Sequence, residues 1–374
     1  MHLQLILWCM LTPKNIFLVV FIVGIIIISN CFTACKNNFT QKEIVQNQIE
    51  LGRHLFFDRR LSVNNTRACA TCHNPNFAFT DGYKRSLGAF ADLHQRNTQP
   101  LFNLTYLKYY TAADSTIHST VQQMDKPLFN THNIEMGAAG HEAEILERIK
   151  KDKQYKILFA NAGYENNWQN IKKAISMFEE SIVSFESPYD KFLDGDTNAI
   201  SANAKNGMKL FFSASTNCSS CHGGKNFSTA AVKTDTENDM QYFNLGLYNL
   251  NSNGDYPAYD KGLMELTKKK EDMGKFRVPS LRNLAFTAPY FHDGSAASLL
   301  DVVEHYATSG RNTTEGIYKG NGSESKLKHN LIKGFKISTN EKLDLIAFLI
   351  SLSDSNFIKN KIYQNPFAVD ETKY

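Results

Sequence analysis

The sequence predicts a mainly α-helical chain built as two similar halves, with long loops and few short strands. Three observations carry this. The pattern C-x-x-C-H occurs twice, as Cys69-Ala70-Thr71-Cys72-His73 and Cys218-Ser219-Ser220-Cys221-His222. A similar segment precedes each copy, Leu51-Gly52-Arg53-His54-Leu55-Phe56-Phe57 before the first and Asn206-Gly207-Met208-Lys209-Leu210-Phe211-Phe212 before the second. Residues 74–103 and 226–257 are punctuated by Gly, Asn and Pro and sustain no helix period, so they read as loops. At 374 residues, 42% hydrophobic and 21% charged, the chain is long enough for two cored domains, and its composition excludes disorder, collagen and coiled coil. Its formal charge of +4, with no basic run longer than Lys268-Lys269-Lys270, is no nucleic-acid footprint, and no nucleic-acid partner is expected.

The first element is a leader. Residues 16–28 form an apolar run of thirteen, preceded by Lys14 and followed by small and polar residues, the layout of a secretory signal peptide. Thirteen residues fall short of the ~20 that a membrane span needs. Met10 is an alternative start, since residues 1–9 add nothing a signal requires. Phe32-Thr33-Ala34-Cys35 resembles a bacterial lipoprotein cleavage box, which makes residues 1–34 the signal, Cys35 the lipidated first residue and 35–48 a tether. The protein is expected in the periplasm or on a periplasm-facing membrane, joined to the membrane only through that lipid.

The paired cysteines come next. Of seven Cys, Cys9, Cys31 and Cys35 belong to the leader region, and the other four form the two motifs. C-x-x-C-H is the c-type haem attachment pattern: two thiols add to the haem vinyl groups, and the adjacent imidazole then sits under the iron. A zinc site would want further Cys/His clusters and a redox dithiol a βαβ setting; neither is visible. Each half is therefore read as a cytochrome c-like domain, 49–188 and 189–374, each with one covalent haem held by Cys69, Cys72 and His73 or by Cys218, Cys221 and His222. The preceding segments read as amphipathic helices that carry a paired Phe toward a haem. Gly52 lies 17 positions before Cys69 and Gly207 lies 11 before Cys218, so the first copy holds a six-residue insertion.

Between the motifs, Ile171, Ile175, Phe178, Ile182 and Phe185 recur at helical spacing, which predicts a helix over residues 170–187 ended by Pro188. Ser338 and Glu341 form a capping box before Leu345, Ile346, Leu349, Ile350 and Leu352, the closing helix of the second half.

Function turns on the far side of each iron: two protein ligands make an electron carrier, whereas an open face can cleave peroxide. For the first haem the available imidazoles are His94 and His118. For the second the candidate ligands are Met240, Met264, Met273, His292, His305, Tyr306 and His329, among which composition does not choose.

At this point the chain resembles the bacterial di-haem cytochrome c peroxidase and MauG superfamily, most closely its MbnH-like branch. The resemblance rests on residues 51–58, the run 69–82, Arg96-Asn97-Thr98, Glu135-Met136-Gly137, residues 276–283 and residues 287–294, in family order. It implies a peroxidase whose peroxide-side Gln is Gln123 and whose acid-base Glu is Glu135. The family's removable distal His follows Ser-x-Gly; here Ser86-Leu87-Gly88 is followed by Ala89, which implies an open first iron. The distal ligand of the second haem, Met in the peroxidases and Tyr in MauG, falls on Tyr306. An anionic phenolate favours ferric or higher iron and suits storage of oxidising power; read alone, Tyr306 is a core aromatic beside His305. One calcium ion is implied, held by the Asn97 side chain and the carbonyls of Thr287 and Pro289, which suits a hard cation. The family's inter-haem Trp is missing: residues 109–116 hold Tyr109 and Tyr110, and the Trp residues are Trp8 and Trp168.

The resemblance implies an oxidoreductase that reduces hydrogen peroxide at the first haem and oxidises a partner protein, on the MbnH-like pattern a tryptophan of it, through the second. The alternatives are detoxification of peroxide with electrons from a small cytochrome c, and a non-catalytic di-haem carrier.

Overall fold

The computed structural model describes residues 39–230 and 241–367. The signal, Cys35 and Met240 lie outside them. By internal packing the chain divides into a short unit ending at Val45 and a main unit, Gln46–Tyr374, which holds every site residue considered below. Among the described residues, no helix is long and apolar enough to cross a membrane.

The helices, in order, are α1 (Gln41–Phe57), α2 (Cys69–Cys72), α3 (Thr120–Gln123), α4 (Asp125–Phe129), α5 (Glu142–Lys150), α6 (Lys153–Ala162) and α7 (Trp168–Ser181), then α8 (Pro188–Leu193), α9 (Ala202–Phe211), α10 (Met264–Thr267), α11 (Leu299–Ala307) and α12 (Thr339–Ser351). Two antiparallel ribbons are the described strands: β1 (Tyr242–Asn244) with β2 (Lys275–Arg277), in the register Tyr242↔Arg277, and β3 (Asn312–Thr313) with β4 (Gly320–Asn321). The mainly helical expectation with few short strands agrees with this.

The internal repeat has a common packing device. Methyl groups built on Gly52 of α1 and Gly207 of α9 would each stand 1.9 Å from a backbone carbonyl oxygen, Ala174 of α7 in the first case and Asp344 of α12 in the second. In each copy the helix before the haem motif therefore crosses a second helix at a glycine, backbone against backbone. The apolar residues divide accordingly. One cluster gathers Leu51, Leu55, Phe56, Phe79, Ile171, Ile175 and Phe178; another gathers Phe211, Phe227, Val303, Leu345, Phe348 and Leu349. Phe357 and Tyr363, from the far end of the chain, return to the first cluster, with Phe357 5.9 Å from Phe79 between ring centroids.

Two expectations need correction. The helix predicted over 170–187 starts at Trp168 behind an Asn167 cap and stops at Ser181. Ile182 turns extended because Asn103 takes over its hydrogen bonding: the Asn103 N–H donates to Ile182 O, and its side-chain amide both donates to Ser184 O and accepts from Ser184 N–H. Pro188 therefore ends nothing; it is the first residue of α8, behind a Ser187–Asp190 capping box, where its missing N–H costs no hydrogen bond. The Phe pairs also do not point as pairs. Phe56 and Phe211 are core residues, Phe57 is half-buried and Phe212 is exposed. The Ser338–Glu341 box does start α12 as expected.

Candidate functional site

Both C-x-x-C-H segments fold alike. In each, the histidine N–H donates to the carbonyl of the first cysteine, Cys69 at 2.9 Å and Cys218 at 3.0 Å. Each ring then turns its Nδ1 to a phenylalanine carbonyl, His73 to Phe79 at 3.0 Å and His222 to Phe227 at 3.2 Å. Phe79 and Phe227 both hold a positive φ, 61° and 50°, which aims those carbonyls back at the ring. Because a carbonyl only accepts, Nδ1 carries the proton and Nε2 keeps its lone pair, the tautomer of an iron ligand. Burial reinforces this by disfavouring the imidazolium, lowering His73 and bringing His222 to about 4. All four cysteines are free, and burial pushes the Cys72 and Cys221 thiols up to about 11, so neither pair is a reactive dithiolate. Free thiols beside an oriented Nε2 fit a c-type haem at each motif.

The first motif opens on a cavity of about 510 Å³, in the size range of cofactor pockets. Cys69, Cys72 and His73 line it, and so do His94, Gln123 and Glu135. Gln123 ends α3, which a Ser119 cap starts. Glu135 lies on a loop whose backbone is fixed by Ala89, N–H to Glu135 O at 2.8 Å. Its side chain, 42% exposed, lines the cavity, and burial raises its carboxyl to about 7. His94 Nδ1 is 3.9 Å from the Glu135 carboxylate, and burial lowers its pKa. His118 is exposed, its ring tilted 5.2 Å from that of Tyr109, and it does not line the cavity. Ala89 is held on its other side by the Asn64 amide, and Gly88 has no room for a side chain against Ile134 O.

The spacing of residues hinted at neither of two further groups at this cavity. Glu179 of α7 lines it as a buried carboxyl raised to about 8, by burial and by Glu180 beside it. Arg67 reaches Gly88 O at 3.1 Å from its rim. Of the aromatic residues weighed for the missing Trp, Tyr110 lines the cavity and Tyr109 lies 5.7 Å from Tyr242. Trp168 is remote, its indole donating to Glu142 O and packing on Phe129.

At the second motif, α11 presents adjacent residues to different neighbours. His305 is tied by Nε2 to Leu245 O at 3.0 Å, and its Nδ1 is buried without a partner. The Tyr306 phenol is buried where Cys221 and Cys218 act on it, and burial raises its pKa above the usual range. The protein alone thus keeps Tyr306 neutral; a bound cation would be needed to hold the phenolate.

The residues named for calcium converge in part. Asn97 donates its N–H to His292 O at 2.7 Å, which joins it to the segment carrying Thr287 and Pro289, and its amide donates to Tyr83 O at 2.8 Å. Among the described residues there is no cluster of three or more His, Cys, Asp or Glu, so a cation here would depend on amide and carbonyl oxygens. His292 is packed rather than free, its ring stacked 3.7 Å from that of Phe276.

Comparison with known proteins decides what this arrangement belongs to. Residues 46–198 match the family model of the di-haem cytochrome c peroxidases. The chain is 31% identical to the cytochrome-c peroxidase IdrP1 of Pseudomonas sp. (strain SCT), over 82% of this chain and 81% of that protein. The chain belongs to the di-haem cytochrome c peroxidase family. It is also 32% identical to the methylamine utilization protein MauG of Methylorubrum extorquens, over 82% of this chain and 78% of that one. A solved structure of a MauG-like protein associated with microbial copper homeostasis superposes with a TM-score of 0.84 at 37% identity, covering 86% of this chain and 94% of that one. As a di-haem peroxidase of this family, the chain is an oxidoreductase acting on peroxide, with two c-type haems.

Proposed function

We propose that this di-haem peroxidase faces the periplasm, reacts with hydrogen peroxide at the first motif and oxidises a partner protein through the second, with a tryptophan of that partner as the specific model. One observation carries the reading: Gln123 and Glu135 share a cavity with His73, while position 89 holds an alanine pinned by its backbone. Bound at the two motifs, haem iron supplies electrons for peroxide reduction and a Lewis acid that polarises the O–O bond.

The chain's own groups relay protons, and the two that the reduction consumes come from solvent. Peroxide takes up two electrons and two protons to give two waters, and the partner gives up the two electrons. Glu135, poised near neutrality, accepts a proton from one peroxide oxygen and returns it to the other as the bond breaks. The Gln123 amide donates to and orients the peroxide. His94 beside Glu135 is neutral at pH 7 and offers a second proton site. At the second motif Tyr306, not His305, is the ligand, since the Cys221 and Cys218 sulfurs act on the Tyr306 phenol, whereas the groups acting on the His305 ring are Leu245, Arg311, Asp293 and Lys328. Tyr109 and Tyr242 stand in for the missing inter-haem Trp, and Asn97, Thr287 and Pro289 hold a calcium ion. Export, with a lipid on Cys35, completes the reading.

Steady-state assay with a reduced small cytochrome c tests it: rapid peroxide-dependent turnover would replace partner oxidation by detoxification. A ferric spectrum with no high-spin signal and no reaction with peroxide would leave only an electron carrier.

A further inference from the structure

Among the described residues, Arg277 is a charge without a counter-charge. Arg60, Arg96, Arg282 and Arg311 each meet a carboxylate, Asp58, Asp260, Asp190 and Asp293 respectively. Arg277 meets none among the described residues. Its side chain donates only to neutral oxygens, Gln99 Oε1 at 2.6 Å and Thr111 O at 3.2 Å, and its backbone N–H donates to Ala112 O at 2.8 Å. Burial works against its charge, but a guanidinium does not give up its proton in a protein. A half-buried guanidinium whose only acceptors are neutral is stabilised further by an anion beside it.

Its place in the fold points to the source. Gln99, Thr111 and Ala112 are walls of the cavity that contains His73. On the other side, the next residue, Val278, belongs to a small apolar cluster against which Cys221 packs. Pro279, one further on, acts through its backbone on the His222 ring. Arg277 thus stands in the partition between the two motifs. Directly across the ribbon, at its register partner, the Tyr242 hydroxyl is buried with no hydrogen-bond partner. A cation with only neutral acceptors and an orphaned hydroxyl on neighbouring strands call for one acceptor that carries negative charge. Haem brings carboxylates with it.

We propose that Arg277 and the Tyr242 hydroxyl bind a haem propionate in the wall between the two motifs, and that Arg277 thereby sets the reduction potential of that haem. This rests on the presence of two c-type haems, which a haemochrome assay counts independently of any potential. Arg277 is a positioning residue and Tyr242 its hydrogen-bonding companion.

The test uses the haem-loaded full chain. Arg277→Gln should lower the potential of one haem by about tenfold in its reduction equilibrium, about 59 mV for one electron, because an unneutralised carboxylate favours ferric iron. Arg277→Lys, which keeps the charge, should hold that potential within about threefold, while Tyr242→Phe and Arg277→Lys should both shift the propionate bending band in resonance Raman spectra. Two loaded haems with unchanged potentials in Arg277→Gln would overturn the proposal. Should that variant fail to load haem, an unmoved Raman band in both Arg277→Lys and Tyr242→Phe would overturn it equally. Neutralising Asp235, Glu237 and Asp239 together should leave the potential alone; a rise as large as the fall in Arg277→Gln would make the anion a protein carboxylate and the proposal wrong.

Discussion

His94 Nδ1 stands 3.9 Å from the carboxylate of Glu135, across a cavity that also holds His73. Two titratable groups with opposed displacements meet there, the carboxyl raised to about 7 and the imidazole lowered, which is how a site keeps an acid and a base ready near neutral pH.

This pair makes the pH profile informative. Glu135 is protonated below about 7 and cannot then take a proton from peroxide, so the rate of peroxide-driven haem oxidation should rise with pH and level off above about 7. Glu135→Gln should flatten that rise and slow the step by roughly 10²-fold, the scale of an acid-base group. His94→Gln should move the midpoint without altering the ferric spectrum. A change from low to high spin in that variant would show His94 to be an iron ligand instead. Stopped-flow absorbance reads all three.

Glu179 gives a prediction about stability. Its carboxyl titrates near 8 in the folded chain against 4.5 as a free group, so the folded state binds its proton more tightly. That contribution is complete below pH 4.5 and disappears as pH rises through about 8. Glu179→Gln should therefore raise the melting temperature at pH 8 relative to wild type, by at least about 2 °C, and change it little at pH 5. Equal shifts at both pH values would mean that Glu179 is held by a contact rather than by its proton.

The two glycine crossings predict matched failures. Gly52→Ala and Gly207→Ala each place a methyl 1.9 Å from a backbone oxygen of a packed helix, so the helices must separate. Each should cost about 1–3 kcal/mol or more, read as a lower denaturant midpoint. Gly163→Ala is the contrast, with nothing within 4 Å of the added methyl and only the strain of its positive φ, and should cost less.

Tyr306 and His305 separate by spectroscopy. Tyr306→Phe removes the only phenol that faces Cys218 and Cys221 from α11, and should change the low-spin ferric spectrum of the second haem. His305→Gln should leave that spectrum intact, because the charged groups that act on its ring are Arg311, Asp293 and Lys328 rather than the motif cysteines. The reverse result would shift the ligand by one residue.

Local chemistry was legible in the residue order alone. The two C-x-x-C-H motifs, the glycines ahead of them and the Ser338–Glu341 box each act over a few positions, where spacing and geometry are the same thing. The closing helix and the shortage of strand could be read for that reason. The end of α7 could not, because Asn103, some eighty positions earlier, holds the backbone of Ile182 and Ser184 out of the helix. Nor could the direction of the Phe pairs, which depends on what each helix crosses. The neighbours that matter for chemistry are equally non-local: His94 against Glu135, Tyr306 rather than His305 toward Cys221, and Arg277 against Gln99, a hydrogen bond spanning 178 positions. Residue order names the groups able to bind haem and move protons. Only the packing of distant segments decides which of them are buried and face one another, and burial with proximity is what sets their charge.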